Sequence, residues 1–598
     1  MNSESSPSDI KWRIQVPPRS EDLPEPPLLD QIRQSVIGDD QLVDGPFGLT
    51  RVTYADYTAS GRAIGFIEDF IRTEVLPQYA NTHTESSGTG LQTTIFREDA
   101  RALVAQAVNA DDDYAVIFAG SGTTGAIDRL IGIMNLRIPA ELDSRYQFTE
   151  QIPTNERPVV FIGPFEHHSN ELPWRESICD VVRIPEDADG HIDQAALREQ
   201  LQRFSDRTLK IGSFSAASNV TGIVSDTNGI SRLLHSHGAL AFWDFAAAGP
   251  YVEIEMRPGG DHDAAKDAVF LSPHKFIGGP GTPGVLVVRR DLLTNRVPDV
   301  VGGGTVTYVN ADDHQYVEDP IRREEAGTPA IVEAIRAGLV MQLKAAVGVD
   351  TIRAHEDDYL QRALSAWDGH PNMDILGNRK AERLSIISFT VRTPTGKYLH
   401  HNAVVAMLND LFGIQARGGC SCAGPYGHAL LGVDIERSRE FEREVSRGCE
   451  GIKPGWTRIN FNYFISEAVF DYIVRAVALI ASHGWRILDQ YRFDPVTGIW
   501  QHSSPRRGIP MHLHDAHYDA DGHLQYPHRD QHGDEALLST QLANAQAILL
   551  GAQPLGPTEP TEADLAAFGL DPAGFETLRW FELPSGSLSP TGNGLGAD

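Results

Sequence analysis

The chain has 598 residues, with 41% hydrophobic and 22% charged content, the balance of a globular protein. A net charge of −30 excludes a binder of phosphate backbones, which needs a basic face, and the sequence has no apolar run of about 18 residues of the kind that spans a membrane. Four cysteines are too few for a disulfide framework, and the polar, acidic N-terminus lacks the pattern of a secretory signal, so a cytoplasmic, reducing compartment is expected.

Residues 1–45, rich in Pro, Ser and Asp, read as an extended N-terminal arm. From 46 to 335, short β-branched runs alternate with amphipathic stretches. Strands are expected at Tyr114–Ala119, Pro158–Gly163, Leu209–Ser215, Ala239–Asp244, Ala268–Leu271 and Gly284–Arg289. Helical patterns such as Glu98–Val108, Ala126–Met134 and Ile230–His237 fall between several of them. This alternation predicts a large α/β domain with a mostly parallel sheet.

A long helix, Ala330–Val347, leads out of that domain, and residues 336–485 read as a smaller α+β domain with strands Arg383–Val391 and Thr457–Phe461. Residues 486–598 read as a polar, His-rich extension with a disordered end. It carries seven histidines between His502 and His532. The spacing of His512, His514 and His517 suits a metal site, but a solvated polar hairpin accounts for it and no metal is assigned.

The chemistry collects at the ends of the expected strands, where parallel α/β sheets bind ligands. Lys275 follows the run Ala268–Leu271 and precedes a glycine-rich stretch, in a chain with only eight lysines. A buried lysine is costly unless bonded or neutralised, and a Schiff base with pyridoxal phosphate is one resolution. Gly120-Ser-Gly122-Thr123-Thr124-Gly125 joins a strand to a helix, as an anion cradle would. Asp244 ends another strand, where a carboxylate could face a pyridine nitrogen; a strand-end turn is its other reading. Asn219 and His167 each follow a strand, and each alone also fits a local turn or hydrogen bond.

Together these residues resemble the aminotransferase class V fold, and within it the cysteine desulfurase and selenocysteine lyase group. The resemblance runs from Tyr54 to Ala481. Its motifs are Tyr54–Ser60, Gly122–Thr124, Glu166–Asn170 with Pro173-Trp174, Ser218–Gly222, Asp244, Ser272–Lys275, Glu325–Pro329, Arg417–Pro425 and Arg458.

The resemblance implies the PLP-dependent transferase (aspartate aminotransferase-like) fold and pyridoxal 5'-phosphate as cofactor. By it Lys275 carries the cofactor as a Schiff base, and Gly122, Thr123, Thr124, Ser272 and His274 hold its phosphate. Thr328 reaches the phosphate of a partner subunit, which implies a homodimer. Asp244 meets the pyridine nitrogen, His167 stacks on the ring and moves protons, and Asn219 contacts the phenolic oxygen. Arg458 clamps the substrate carboxylate, with Asn219 and His83 lining the substrate side.

The context Cys422-Ala-Gly-Pro425 matches the family's sulfur-accepting cysteine, so Cys422 rather than Cys420 is assigned to it. The implied reaction converts L-cysteine to L-alanine and a Cys422 persulfide, with a sulfur-acceptor protein as a further partner. The pattern departs at Ala247, where typical desulfurases have a Gln, and in an insertion over 433–456. A class V aminotransferase or C–S lyase with no persulfide step is the alternative.

Overall fold

The computed structural model describes residues 14–82, 84–504, 511–553, 561–584 and 586–588. His83 and, of the final twenty or so residues expected to be disordered, 585 and 589–598 lie outside the described residues. The others, 579–584 and 586–588, are ordered, with Phe581 and Leu583 buried, because their apolar side chains pack into the core.

The core of the larger half is a seven-stranded sheet: β1 (Tyr114–Ala119), β2 (Val159–Ile162), β3 (Asp180–Arg183), β4 (Lys210–Ser215), β5 (Leu240–Asp244), β6 (Ala268–Leu271) and β7 (Gly284–Arg289). Their spatial order is β1-β7-β6-β5-β4-β2-β3. Six strands share one direction, and β7 alone runs against its neighbours β6 and β1. Strands β1, β2 and β6 are buried along their whole length, which is why they read as continuous apolar runs rather than alternating ones. Edge strand β3 carried no such signal: its four residues are half-buried and charged at both ends.

Among the surrounding helices, α2 (Gly88–Ala107) and α4 (Ile331–Val347) pack closely together, and Gly338 of α4 makes that approach possible. A Cβ there would lie 2.6 Å from Ala100 Cα. The glycine loop feeds directly from β1 into α3 (Gly122–Ile133). Helix α5 (Val349–Trp367) leads to the smaller half.

There an antiparallel sheet is formed by β8 (Met373–Ile375), β9 (Ile386–Arg392), β10 (Tyr398–Leu399), β11 (Arg417–Gly419) and β12 (Trp456–Asn460). Its order is β8-β9-β12-β11, with β10 paired to β9. Helices α6 (His401–Phe412) and α8 (Glu467–His483) pack with it, each with a broad buried face. The 433–456 insertion folds largely as α7 (Ile435–Ser446), which turns Phe441 inward.

Two expectations need correction. The N-terminal segment is not extended throughout. It forms α1 (Pro27–Ser35), which buries Leu29 and Ile32, and a strand Leu42–Gly45 paired with Gly48–Arg51. Pro27 at the first helical position supplies the required φ and sacrifices no hydrogen bond.

The C-terminal extension is polar and solvated only in part. A hairpin of Tyr491–Asp494 with Ile499–His502 precedes α9 (Leu537–Gly551), which packs on α8. Trp500, Leu538, Leu549, Phe575 and Phe581 are all buried in the main apolar core. Trp500 and Phe581 lie in very short apolar stretches in polar surroundings, and α9 is apolar on more than its buried face, so neither marks its burial in the sequence. The histidine-rich part does form an exposed hairpin, His517–Tyr518 with Leu524–Gln525. Among the described residues no helix is long and apolar enough to cross a membrane.

Candidate active site

The ends of β1, β4, β5 and β6, with the loops that follow them and β2, enclose a cavity of about 210 Å³. Its other wall comes from the smaller half, through Arg417, Ser421, Cys422 and Arg458.

Lys275 closes a 3₁₀ turn, Pro273–Lys275, immediately after β6, with its N–H donated to Ser272 O at 3.0 Å. The turn is fixed from outside, because Gly61 N–H donates to His274 O at 2.8 Å. A Cβ on Gly279 would collide with Pro273 O, so the return of the chain after the lysine depends on glycine there. Burial pulls Lys275 down to about 8, while the Asp244 carboxylate beside it pulls the other way.

The glycine loop uses φ +39° at Gly120 and +57° at Gly122. At Gly122 a Cβ would lie 2.7 Å from His274 Cε1 and 2.8 Å from Ser272 Oγ. Thr123 N–H donates to Ser272 Oγ at 3.0 Å, which stitches this loop to the lysine turn. Burial also holds His274 near 4, so its ring is neutral at pH 7.

Asp244 is buried at the end of β5, and its Oδ1 accepts from Ala246 N–H at 2.7 Å. Burial pushes its carboxyl up to about 6, opposed by that hydrogen bond and by Lys275. A carboxyl raised by burial is one that a cationic ring nitrogen would stabilise as the anion.

His167 Nδ1 accepts from Ser169 N–H at 3.1 Å, so the neutral ring carries its proton on Nε2. Burial, then Lys275, depresses His167 to about 3. Ser169 Oγ lies 2.9 Å from His167 Nδ1 and 2.6 Å from Thr124 Oγ1, linking the ring to the glycine loop. Below them, the buried Glu166 carboxylate accepts from Gly163 and Ser215 N–H, tying the end of β2 to that of β4.

On the opposite wall, Arg458 donates from Nη1 to Asn219 O at 2.9 Å and pairs through Nη2 with Asp56 Oδ1 at 3.0 Å. Arg417 Nε takes the second oxygen of Asp56 at 2.9 Å. Burial lowers Arg458 and Asp56 raises it again. Asn219 Nδ2 donates to Ser421 O at 2.7 Å.

Cys422 is exposed and lines the cavity, whereas Cys420 is half-buried. The segment Cys420–Ala423 is a tight turn, with Ala423 N–H donated to Cys420 O at 3.1 Å. Its central residues Ser421 and Cys422 have φ +51° and +54°. Left-handed backbone costs non-glycine residues roughly 1–2 kcal/mol each, so this turn needs external support. Asn219 supplies one tether, and His168 supplies two: its N–H donates to Cys422 O at 2.8 Å and its Nε2 accepts from Gly424 N–H at 3.2 Å.

The cavity thus brings together Gly122, Thr123, Thr124, His167, Asn219, Asp244, Ser272, His274, Lys275, Cys422 and Arg458, and also Ala247. Thr328 lies outside it on the exposed surface, where Asn81 Nδ2 donates to its hydroxyl at 3.2 Å. Reading single residues passed over Asp56, although it sits inside the Tyr54–Ser60 motif. It passed over Ser169 and Ser421 as well, which carry no pattern of their own.

The family model for Aminotransferase class-V matches residues 53–437. A probable cysteine desulfurase of Halobacterium salinarum is 27% identical over 394 residues, covering 65% of this chain and 87% of that protein. A probable cysteine desulfurase of Staphylococcus aureus is 28% identical over 402 residues, with the same coverage, 65% and 87%. Among solved structures, the apo cysteine desulfurase of Thermococcus onnurineus superposes with a TM-score of 0.59 at 20% identity, over 78% of this chain and 99% of that one. The cysteine desulfurase CsdA of Escherichia coli gives 0.55 at 22% identity, over 71% and 94%.

Proposed function

The chain belongs to the aminotransferase class-V family, and we propose that within it this protein is a cysteine desulfurase, converting L-cysteine to L-alanine and leaving a persulfide on Cys422. The observation that carries this reading is that Cys422 lines the same cavity as Lys275, Asp244 and Arg458.

The residues present fit pyridoxal 5'-phosphate. Asn219 Oδ1 and Arg458 Nε are buried and have no partner among the described residues, so the cavity wall leaves polar atoms for a ligand to satisfy. Having no Cβ, Gly122 lets the loop backbone at the start of α3 approach Ser272 and His274 closely, which gathers N–H, hydroxyl and imidazole groups in one cradle of the kind a phosphate needs. Gly122, Thr123, Thr124, Ser272 and His274 would hold that phosphate. Asp244 would meet the ring nitrogen, Asn219 the phenolic oxygen, His167 the ring face, and Lys275 the aldehyde carbon. When bound, pyridoxal phosphate supplies an electron sink that acidifies the substrate Cα–H and activates its Cβ.

The protein's own groups do the rest. Arg458, oriented by Asp56 and Asn219 O, receives the substrate carboxylate. Lys275, already depressed to about 8, takes the Cα proton at Nζ. His167, neutral with its proton on Nε2, offers a hydrogen-bond donor to the substrate within the same cavity. Cys422 Sγ then attacks the substrate sulfur. The S–S bond forms as the Cβ–S bond breaks, and the Cβ–S electron pair stays on Cβ, where one proton, matching the one lost from the Cys422 thiol, completes the methyl group. Lys275 returns its proton to Cα, and alanine leaves with Cys422 carrying the persulfide.

The reading includes a homodimer and an acceptor for the persulfide sulfur, in the cytoplasm. The dimer is supported by the exposed position of Thr328 and by the nearby hairpin Val306–Val309 with His314–Tyr316, which exposes Tyr308 and Val309. The acceptor is supported by the exposure of Cys422.

The test is holoenzyme supplied with L-cysteine and a reductant, with sulfide and alanine both measured. Cys422→Ala should keep the borohydride-sensitive near-visible band of bound cofactor and lose sulfide release, while Cys420→Ala keeps both. Undiminished sulfide from Cys422→Ala would instead favour the C–S lyase alternative, to which Ala247, leaving the family's Gln position empty of an amide, also points.

A further inference from the structure

No step above uses His168, the second histidine of Glu166–Asn170. It opens the 3₁₀ turn His168–Asn170 beyond β2. Its neighbour His167 lines the cavity, whereas His168 meets the cysteine turn. Its two contacts fall on either side of Ala423: main-chain N–H to Cys422 O at 2.8 Å, and Nε2 from Gly424 N–H at 3.2 Å.

That bracket sits where the backbone is least able to hold itself. Ser421 and Cys422 are the only consecutive pair among the described non-glycine residues with positive φ; the other three are Asn109, Asn135 and Gln147. Neither serine nor cysteine favours that region. The internal hydrogen bond, Ala423 N–H to Cys420 O, closes the turn but does not fix its position relative to the sheet. Position is fixed by Asn219 from one strand end and by His168 from another. The thiol is therefore located by contacts across the two halves of the chain and not by its own loop.

We propose that His168 is a positioning residue that holds the Cys422 turn against the cavity, its N–H on Cys422 O and its Nε2 on Gly424 N–H, so that the thiol meets the sulfur of a bound cysteine. The proposal rests on the persulfide reading of Cys422. Acceptance at Nε2 requires the neutral imidazole with its proton on Nδ1. Burial favours that state, with Glu171 opposing and Arg175 reinforcing it. A glutamine offers an amide oxygen that can accept from Gly424 N–H; an alanine offers none.

The test compares wild-type holoenzyme with His168→Ala and His168→Gln, each first shown by circular dichroism and thermal unfolding to be folded like wild type. Two quantities are read: amide hydrogen exchange over residues 420–425, and the single-turnover rate at which Cys422 gains one sulfur from L-cysteine, followed by mass spectrometry. His168→Ala should speed exchange at Gly424 and slow sulfur gain by about 10- to 100-fold, the cost of a misplaced reacting group. His168→Gln should restore most of both, and the near-visible band should be unchanged throughout. Unchanged exchange or an unchanged rate in His168→Ala overturns the proposal, as does a glutamine variant no better than the alanine one. A wild-type Cys422 that gains no sulfur overturns the desulfurase reading and the delivery role with it, while exchange at Gly424 still shows whether the bracket exists.

Discussion

Asp56 Oδ1 lies 3.0 Å from Arg458 Nη2, and both side chains are buried. The partners are 402 residues apart in sequence and join the start of the α/β half to the last strand of the smaller sheet. A buried guanidinium of this kind is tolerable only while it is paired and hydrogen-bonded.

Removing the carboxylate leaves that charge with Asn219 O as its remaining partner. Asp56→Ala is expected to destabilise the protein by about 3 kcal/mol, the lower end for breaking a buried pair. It should also raise KM for the amino-acid substrate, because Arg458 loses its orientation. Denaturant unfolding and steady-state kinetics check both, and wild-type values for each would refute the assignment of Asp56.

Lys275 gives a pH-dependent prediction for cofactor-free protein. Its folded pKa is about 8, below the ordinary 10.5. Between those values the unfolded chain binds a proton that the folded chain does not, so stability rises with pH across that window. Below pH 8 the full cost is present. Lys275→Met removes it and should stabilise the cofactor-free protein at pH 7 by about 2 kcal/mol, a figure reduced for solvent entering the cavity. The advantage should vanish by pH 10.5. A difference that does not change with pH would count against a depressed lysine.

Gly122→Ala tests the cradle. Its Cβ would press on His274 and Ser272 at a φ of +57°. The strain should cost about 1–3 kcal/mol. Affinity for pyridoxal phosphate, titrated by the near-visible band, should fall by about tenfold or more, equivalent to at least 1.4 kcal/mol. Equal affinity would mean that the phosphate sits elsewhere.

Phe581→Ala tests whether the C-terminal extension belongs to the core. Phe581 is fully buried and packs on His400, Phe493, Trp580 and Phe575. A loss of about 3–5 kcal/mol is expected for deleting a buried ring. An unchanged unfolding midpoint would show the extension to be an appendage.

Which parts of this molecule could be read from sequence follows from how local their causes are. Asp244 ends an apolar run and Lys275 follows one within four residues, so a strand and the polar residue at its mouth appear together in a few consecutive letters. Gly120 and Gly122 are legible because only glycine accepts that backbone cheaply. The Asp56–Arg458 pair has no such mark, since the two side chains meet only after both sheets have formed. The Cys422 turn is equally hidden: Ser421 and Cys422 lack the Gly or Asn that would announce left-handed backbone, and the tethers that impose it come from Asn219 and His168. The extension misled because Trp500 and Phe581 lie in very short apolar stretches, and because α9 also carries apolar residues on its outer face, so its buried stripe of Leu538, Gln541, Ala545 and Leu549 does not stand out.

The far end of the described chain completes the smaller sheet. Phe581 bridges Tyr398 in parallel, Glu582 N–H donates to Tyr398 O at 2.7 Å, and Phe493 bridges Leu588. This sets an order on synthesis. The seven-stranded sheet has all its strands once residue 289 has left the ribosome, but the half that carries Cys422 waits nearly three hundred residues longer for its last packing partners. A nascent chain therefore owns a finished cradle for the cofactor well before its reactive thiol is fixed in place.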